Sequence, residues 1–308
     1  MIDITFLGTA ALVPIPDRAL ASVFLSVQGK SILFDCGEGT QTAARKWGVS
    51  LMKTDFIVLT HFHGDHIFGL PGLMQTMSVM GRTEKLNIIA PPGGHKELAP
   101  IFSLAGTVNY PVELIEADEN PIKLQDFAPD FPKNVTLYPV KTNHRVVSRG
   151  YTLSLSRAGK FLPEKAKELN IPVNFWSVLQ NGGIYENDGR IYTQNDVCTD
   201  KRAGLKVTIT GDTAYCDTLE MASQNADLII SEATYGDNAD EPLAIERGHM
   251  TFENAANLAK NANAKLLYLT HFSQKIKDPA EYLHIATNIF ENTQVAYDGD
   301  KLTLTFPE

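Results

Sequence analysis

Short apolar runs, each closed by a small or polar turn, set the rhythm of this chain. Residues 2–6, 22–27 and 31–34 have strand patterning, and Gln28-Gly29-Lys30 supplies a hairpin turn between the last two. The Gly-rich turn Asp35-Cys36-Gly37-Glu38-Gly39-Thr40 opens a helix over 40–47, which Gly48 ends. Residues 56–59 predict a buried strand, 70–80 a largely apolar helix stopping near Gly81, and 86–90 another strand. The turn Pro91-Pro92-Gly93-Gly94 then leads into a helix over 96–104. The later half repeats the style, with strands at 135–140, 151–155, 206–209, 228–230, 266–269, 295–297 and 302–306. Its helices fall near 217–225, 251–261 with Thr251 as N-cap, and 279–290. Strands alternating with helices in both halves predict an α/β sandwich, sheets covered by helices.

Residues 157–203 stand apart from this rhythm. They hold a short helix at 163–169, then Asn170-Ile171-Pro172, an exposed-looking Phe175-Trp176 pair and Gly182-Gly183. Strands flank both ends. The segment reads as an arm inserted into one domain spanning 1–308, because long excursions from compact domains usually serve function.

The densest chemistry lies at 60–66, Thr-His-Phe-His-Gly-Asp-His, directly after the apolar run Phe56-Ile57-Val58-Leu59. Three of the chain's eight histidines fall here with a carboxylate between them. A solvated His-rich turn is the bland alternative, and this clustering argues against it. Imidazole and carboxylate suit zinc or another borderline metal. On an extended backbone His61 and His63 share a side, while Asp65 and His66 point elsewhere, so one loop can serve two adjacent ions.

His144, Asp212 and His271 each lie a short step beyond an apolar strand, where ligands gather in α/β sheets. Singly, each has an ordinary explanation: a surface histidine, or a helix N-cap for Gly211-Asp212-Thr213. Together they complete two sets, His61, His63 and His144 for one ion and Asp65, His66 and His271 for a second, bridged by Asp212. Two such ions lower the pKa of a shared water and hold both sides of an in-line phosphoryl displacement. His249 precedes a helix, whose N-terminus favours anions, so it either faces a scissile phosphate as general acid or belongs to a plain capping loop. Glu232 either orients His249 or is a polar strand-end residue. His95 and His284 read as structural or surface positions.

Composition trims the alternatives. Of 308 residues, 44% are hydrophobic and 20% charged, as in ordinary globular proteins. No run of about 18 apolar residues predicts a membrane span. The first residues already form a strand, with no secretory pattern. Three scattered cysteines, Cys36, Cys198 and Cys216, predict a reducing cytoplasm. A net charge of −9 excludes a surface that attracts nucleic acid all over, but not a local basic stripe.

At this point the chain resembles the ribonuclease Z family of the metallo-β-lactamase superfamily. The likeness rests on Phe6-Leu7-Gly8-Thr9 with Pro14 and Arg18, and on Leu33-Phe34-Asp35-Cys36-Gly37-Glu38-Gly39-Thr40-Gln41. It continues through 60–66 with Gly69-Leu70-Pro71-Gly72-Leu73, Gly81-Arg82, Pro91-Pro92-Gly93 and His144 with Ser148-Gly150-Tyr151. Gly211-Asp212-Thr213, Glu232-Ala233-Thr234 and Thr270-His271 follow in family order. The resemblance implies an αβ/βα fold of two mixed sheets flanked by helices, two zinc ions per subunit and a homodimer. Manganese or iron suits the same ligands. It implies a tRNA precursor as substrate, cut at its 3′ end by a hydroxide bridging the ions. Asp65 serves in proton transfer and His249 at the leaving group. The family's tRNA-clamping arm falls on 157–203, where Lys165-Ala166-Lys167-Glu168-Leu169-Asn170-Ile171-Pro172 fits it.

Three departures accompany this likeness. Val173-Asn174-Phe175-Trp176 replaces a Gly-Pro-type turn, His249-Met250-Thr251 replaces His-Ser-Thr, and Gln274-Lys275-Ile276 replaces Ser-Arg-Tyr. Lys165, Lys167, Thr251 and Lys275 are therefore the expected substrate contacts. A dizinc hydrolase of small phosphodiesters or cyclic nucleotides is the alternative, and a non-catalytic RNA-binding scaffold the third.

Overall fold

The protein's computed structural model describes residues 1–307. Sixteen strands form along the described chain. The first six are β1 (Ile2–Gly8), β2 (Ser22–Val27), β3 (Lys30–Phe34), β4 (Phe56–Val58), β5 (Leu86–Ala90) and β6 (Val112–Glu116). Next come β7 (Ile122–Lys123), β8 (Val135–Lys141), β9 (Arg149–Arg157), β10 (Tyr185–Asn187) and β11 (Arg190–Tyr192). The last are β12 (Arg202–Ile209), β13 (Leu228–Glu232), β14 (Leu267–Thr270), β15 (Thr293–Val295) and β16 (Lys301–Leu304). One seven-stranded sheet runs β16-β1-β2-β3-β4-β5-β6 and the other β15-β14-β13-β12-β9-β8-β7. Both are mixed. β1, β2 and β3 pair antiparallel and β3 to β6 parallel, while β12 to β15 pair parallel and β7 pairs antiparallel with β8. Gln28 and Gly29 take positive φ of 53° and 84°, the backbone that a tight hairpin between twisted strands requires.

The chain divides into two compact units, Met1–Ser154 with Leu205–Thr305, and Leu155–Gly204 with the stretch from Phe306. Within the first, side chains of both sheets interlock. Phe6 stacks on Tyr268 at 5.3 Å between ring centres, and Phe34 meets Tyr151 at 6.2 Å. The fully buried Tyr151 donates its hydroxyl to the Leu59 carbonyl at 2.9 Å, and the Arg149 amide donates to Thr60 O at 2.8 Å. These bonds join the end of β4 to β9, where the histidine-rich loop begins.

The second unit has a small core of its own, Ala166, Ile171, Leu179, Tyr192, Val197 and Cys198. Phe175 and Trp176, expected to be exposed, are half-buried against it. Trp176 Nε1 donates to Ile171 O at 2.9 Å, its ring meets Phe161 at 5.3 Å, and Phe175 stacks on Tyr185 at 4.3 Å. Their large rings add apolar cover to a core of only six buried side chains.

Other differences have local causes. The helix expected over 279–290 is a 3₁₀ turn at Pro279–Tyr282 followed by the helix Leu283–Thr287. Tyr282, at φ −99° and ψ −7°, ends the 3₁₀ turn and precedes the first residue of the α-helix. β6, β7 and the short hairpin β10–β11 have no counterpart in the sequence pattern. β6 is a half-buried edge strand, and β7 has only two residues, so neither has an apolar run long enough to register.

Close packing also marks the meeting of the loops after β3 and β4. The Gly69 amide donates to Cys36 O at 2.8 Å, and a Cβ at Gly69 would drive into the Gly37 carbonyl. Gly69→Ala is expected to destabilise the protein by about 1–3 kcal/mol, the usual cost of overpacking, read from the urea midpoint. An unchanged midpoint would show that the two loops have slack.

Candidate metal centre

Every group singled out at a strand end lies in the first unit and is buried or half-buried. His61 to His66 follow β4, His144 follows β8, Asp212 follows β12 and His271 follows β14. The loops converge. His61 Nε2 lies 3.0 Å from His63 Nδ1, His144 Nε2 lies 3.3 Å from the same His63 atom, and Asp212 Oδ2 lies 3.6 Å from His61 Nε2. In the second group His66 Nε2 and His271 Nε2 are 3.2 Å apart. Asp65 Oδ2 lies 3.6 and 3.5 Å from those two atoms, and Asp212 Oδ1 lies 3.5 and 3.3 Å from them. Ligand atoms about 2.0–2.1 Å from one zinc at tetrahedral angles sit about 3.4 Å apart, so both sets have the edge lengths of a coordination shell.

Hydrogen bonds fix the tautomers. Thr60 Oγ1 donates to Asp35 Oδ2 at 2.8 Å and so accepts from His61 Nδ1 at 3.1 Å. His66 Nδ1 donates to Asp35 Oδ2 at 2.7 Å. Thr234 Oγ1 donates to Glu232 Oε2 at 2.6 Å and accepts from His271 Nδ1 at 3.0 Å. His144 Nδ1 donates to Gly248 O at 2.7 Å. In all four histidines the Nε2 lone pair is left aimed inward. Such outer partners orient metal-binding imidazoles and raise their basicity.

Electrostatics differ between the two sets: burial disfavours charge on His66, but the Asp212 and Asp35 carboxylates outweigh it and raise this imidazole well above its usual range. Burial, then the neighbouring imidazoles, push His61 well below the usual range, and burial lowers His63 and His144. The neutral imidazole is the ligating form. Burial opposes ionisation of Asp65, but His271 and His66 outweigh it and hold the carboxyl below its ordinary range. Asp212 Oδ1 is buried with no hydrogen-bond partner. An orphaned carboxylate oxygen between two imidazole lone pairs fits a divalent cation, and the donor set suits zinc, manganese or iron(II).

Beside the ligands, His249 Nδ1 donates to Glu232 Oε1 at 2.8 Å. Burial disfavours charge on this imidazole, but the Glu232 carboxylate outweighs it and raises the pKa to about 9. The structure thus brings His249 and Glu232 to the ligand cluster, with His249 Nδ1 4.0 Å from Asp212 Oδ2.

Thr251, expected at the substrate, is instead fully buried as the N-cap of the helix Phe252–Asn261, its Oγ1 accepting from Asn254 N at 3.2 Å. That cap occupies the hydroxyl and leaves it no exposed surface. Lys275 is exposed on the loop after His271. Lys165 and Lys167 are exposed on the helix Pro163–Glu168 of the second unit, Lys167 pairing with Glu164 at 3.1 Å. His95 and His284 are exposed.

Two positions escaped the sequence analysis as parts of the site. Asp35 accepts from Thr60 N, Thr60 Oγ1 and His66 Nδ1, holding both ligand sets from one carboxylate. Its signal was present, an Asp closing an apolar strand, but it read as turn chemistry. Leu12 gives its amide to Asp65 Oδ2 at 2.7 Å while held at φ +63°, a backbone that leucine rarely adopts. Nothing in the residue type announces that. Replacing Asp35 with Asn is expected to weaken metal retention about 10–100-fold, measured by chelator competition, because the carboxylate that orients the His66 ring is lost. Unchanged retention would reduce Asp35 to a turn residue.

With this geometry in place, comparison with known proteins is informative. Residues 2–162, just over half of the chain, match the family model for the anti-Pycsar protein Apyc1, and 197–272 match the β-lactamase superfamily domain. A ribonuclease Z from Clostridioides difficile is 39% identical over 308 residues, covering 100% of both chains. Another from Lachnoclostridium phytofermentans is 36% identical, covering 99% of each. The crystal structure of the short form of human tRNase Z superposes with a TM-score of 0.67 at 28% identity, covering 99% of this chain and 100% of that one. Full-length likeness of this strength shows that the chain belongs to the ribonuclease Z family, and the domain match over 197–272 agrees with the β-lactamase superfamily.

Proposed function

We propose that the protein is a zinc-dependent endoribonuclease that removes the 3′ trailer from tRNA precursors. The observation that carries this is the pair of ligand sets meeting at Asp212, with His249 and Glu232 beside them. His61, His63 and His144 would hold one ion, Asp65, His66 and His271 a second, with Asp212 shared. Bound there, divalent cations stabilise charge on the phosphoryl oxygens and make a water acidic at neutral pH. Asp65 takes a proton from the attacking water. As the new phosphorus–oxygen bond forms, the bond to the tRNA 3′-oxygen breaks, and that oxygen needs a proton to leave as a hydroxyl. His249, held protonated by Glu232, supplies it. The trailer departs with the phosphate.

The second unit, 155–204, is proposed as the exosite for tRNA. It carries seven Lys and Arg against six Asp and Glu, whereas the whole chain is net −9. Lys165 and Lys167 are its exposed cations on one short helix. A cytoplasmic homodimer is also proposed. No helix among the described residues is long and apolar enough to cross a membrane, and Val79, Met80 and Leu104 are exposed at the ends of two helices that pack together. Light scattering at twice the chain mass is the expected result.

The direct test is incubation of the zinc-loaded protein with a 3′-extended tRNA precursor. Expected is a single cut leaving a 3′-hydroxyl on the tRNA. An intact precursor alongside hydrolysis of bis(p-nitrophenyl) phosphate would instead favour a small phosphodiester as substrate.

Two variants dissect the roles. His249→Ala is expected to lower kcat on precursor about 10²–10⁴-fold, the usual worth of a general acid. It should spare bis(p-nitrophenyl) phosphate, whose phenolate leaves without a proton. Equal losses on both substrates would remove the acid role. The Lys165→Ala/Lys167→Ala protein should bind precursor more weakly, with the slope of log K against log salt shallower by about 1 per lysine. An unchanged slope would take these lysines off the RNA.

A further inference from the structure

Phe68 is the conspicuous group at this site that the proposed chemistry leaves unused. It follows the helical turn Gly64–Ile67 and is 60% exposed. Its ring lies on Gly64, between His63 and Asp65, where a Cβ would overlap three ring carbons. One side of the aromatic group thus rests on the backbone of the ligand loop and much of the rest faces solvent. Burying a phenylalanine contributes about 1.5–3 kcal/mol, a gain largely forgone by leaving this one outside.

Its surroundings are consistent with a binding role. Leu12 and Val13 are exposed on the loop whose Leu12 amide is bonded to Asp65, and Val146 and Val147 are exposed just past His144. Three loops that reach the ligand cluster therefore present apolar side chains to solvent. An RNA phosphodiester carries a nucleoside on each side, and the base of either has an apolar π-face. Aromatic side chains stack on such faces with little regard to sequence, each worth about 1–3 kcal/mol on alanine substitution.

We infer that Phe68 is a stacking platform for the base of a nucleotide flanking the scissile phosphate, setting that phosphate over the ligand cluster. The inference rests on the endoribonuclease function proposed above. It separates how the chain orients RNA at the cut from how the second unit grips it elsewhere.

The test compares wild type, Phe68→Ala and Phe68→Tyr on a 3′-extended precursor and on two versions abasic at one or the other nucleotide flanking the cut. Metal content is measured on each protein. Phe68→Ala should keep its metal and lose about 10–100-fold in kcat/KM on the intact precursor. On the version abasic at the stacked position it should lose nothing beyond the loss wild type already shows. Phe68→Tyr should restore the intact rate. Unchanged kcat/KM in Phe68→Ala, or the same fold loss on all three precursors, would overturn the stacking role alone. A wild type that leaves even the intact precursor uncut would overturn the endoribonuclease function, and this inference with it.

Discussion

A buried polar atom without a hydrogen-bond partner costs about 1–3 kcal/mol, more when it is charged, and Asp212 Oδ1 is such an atom. It faces His66 Nε2 and His271 Nε2 at 3.5 and 3.3 Å, and those two nitrogens face each other at 3.2 Å. Their other nitrogens are committed to Asp35 and Thr234, so rotating the rings or switching tautomer would break bonds elsewhere. This cluster of inward-facing electron pairs makes sense only around positive charge. The rest of the first unit is arranged to hold it. Strand ends from both sheets deliver the ligands, Asp35 grips both ends of the 60–66 loop, and Tyr151 and Arg149 bond one sheet to the end of β4.

Backbone strain gathers at the same place. Leu12, Asp35 and His271 all sit at positive φ, at 63°, 56° and 60°. Aspartate and histidine tolerate this region better than most residues, and leucine does not. Residues held this way cost about 1–3 kcal/mol each and persist only where their surroundings over-determine them. Here the surroundings are the Asp65 carboxylate for Leu12, the Thr60–His66 pair for Asp35 and Thr234 for His271. Precision at the ligands is thus drawn from the stability of the packed sheets around them.

Much of this was readable from residues alone, for physical reasons that differ by case. Strands such as β2 and β5 match the sequence limits because mostly apolar stretches bounded by turn residues mark buried strands. The ligands of the 60–66 loop were legible because their spacing has few other uses. Asp212 and His271 emerged by position, each just beyond a strand. What stayed hidden depends on contacts between distant segments. Leu12 is ordinary until its amide meets Asp65, 53 residues away. Thr251 was legible as a helix cap, but only its full burial shows that the cap leaves no surface for RNA. Phe175 and Trp176 looked exposed because part of the small core that receives them, Tyr192, Val197 and Cys198, lies beyond their local window.

The central claim is that two ions share Asp212, and metal stoichiometry tests it most directly. Elemental analysis of protein purified without added chelator should give two zinc-class ions per chain for wild type. Asp212→Asn, which keeps shape but removes the bridging charge, should fall below one. Retention of two ions in that variant, or no more than one in wild type, would contradict the account.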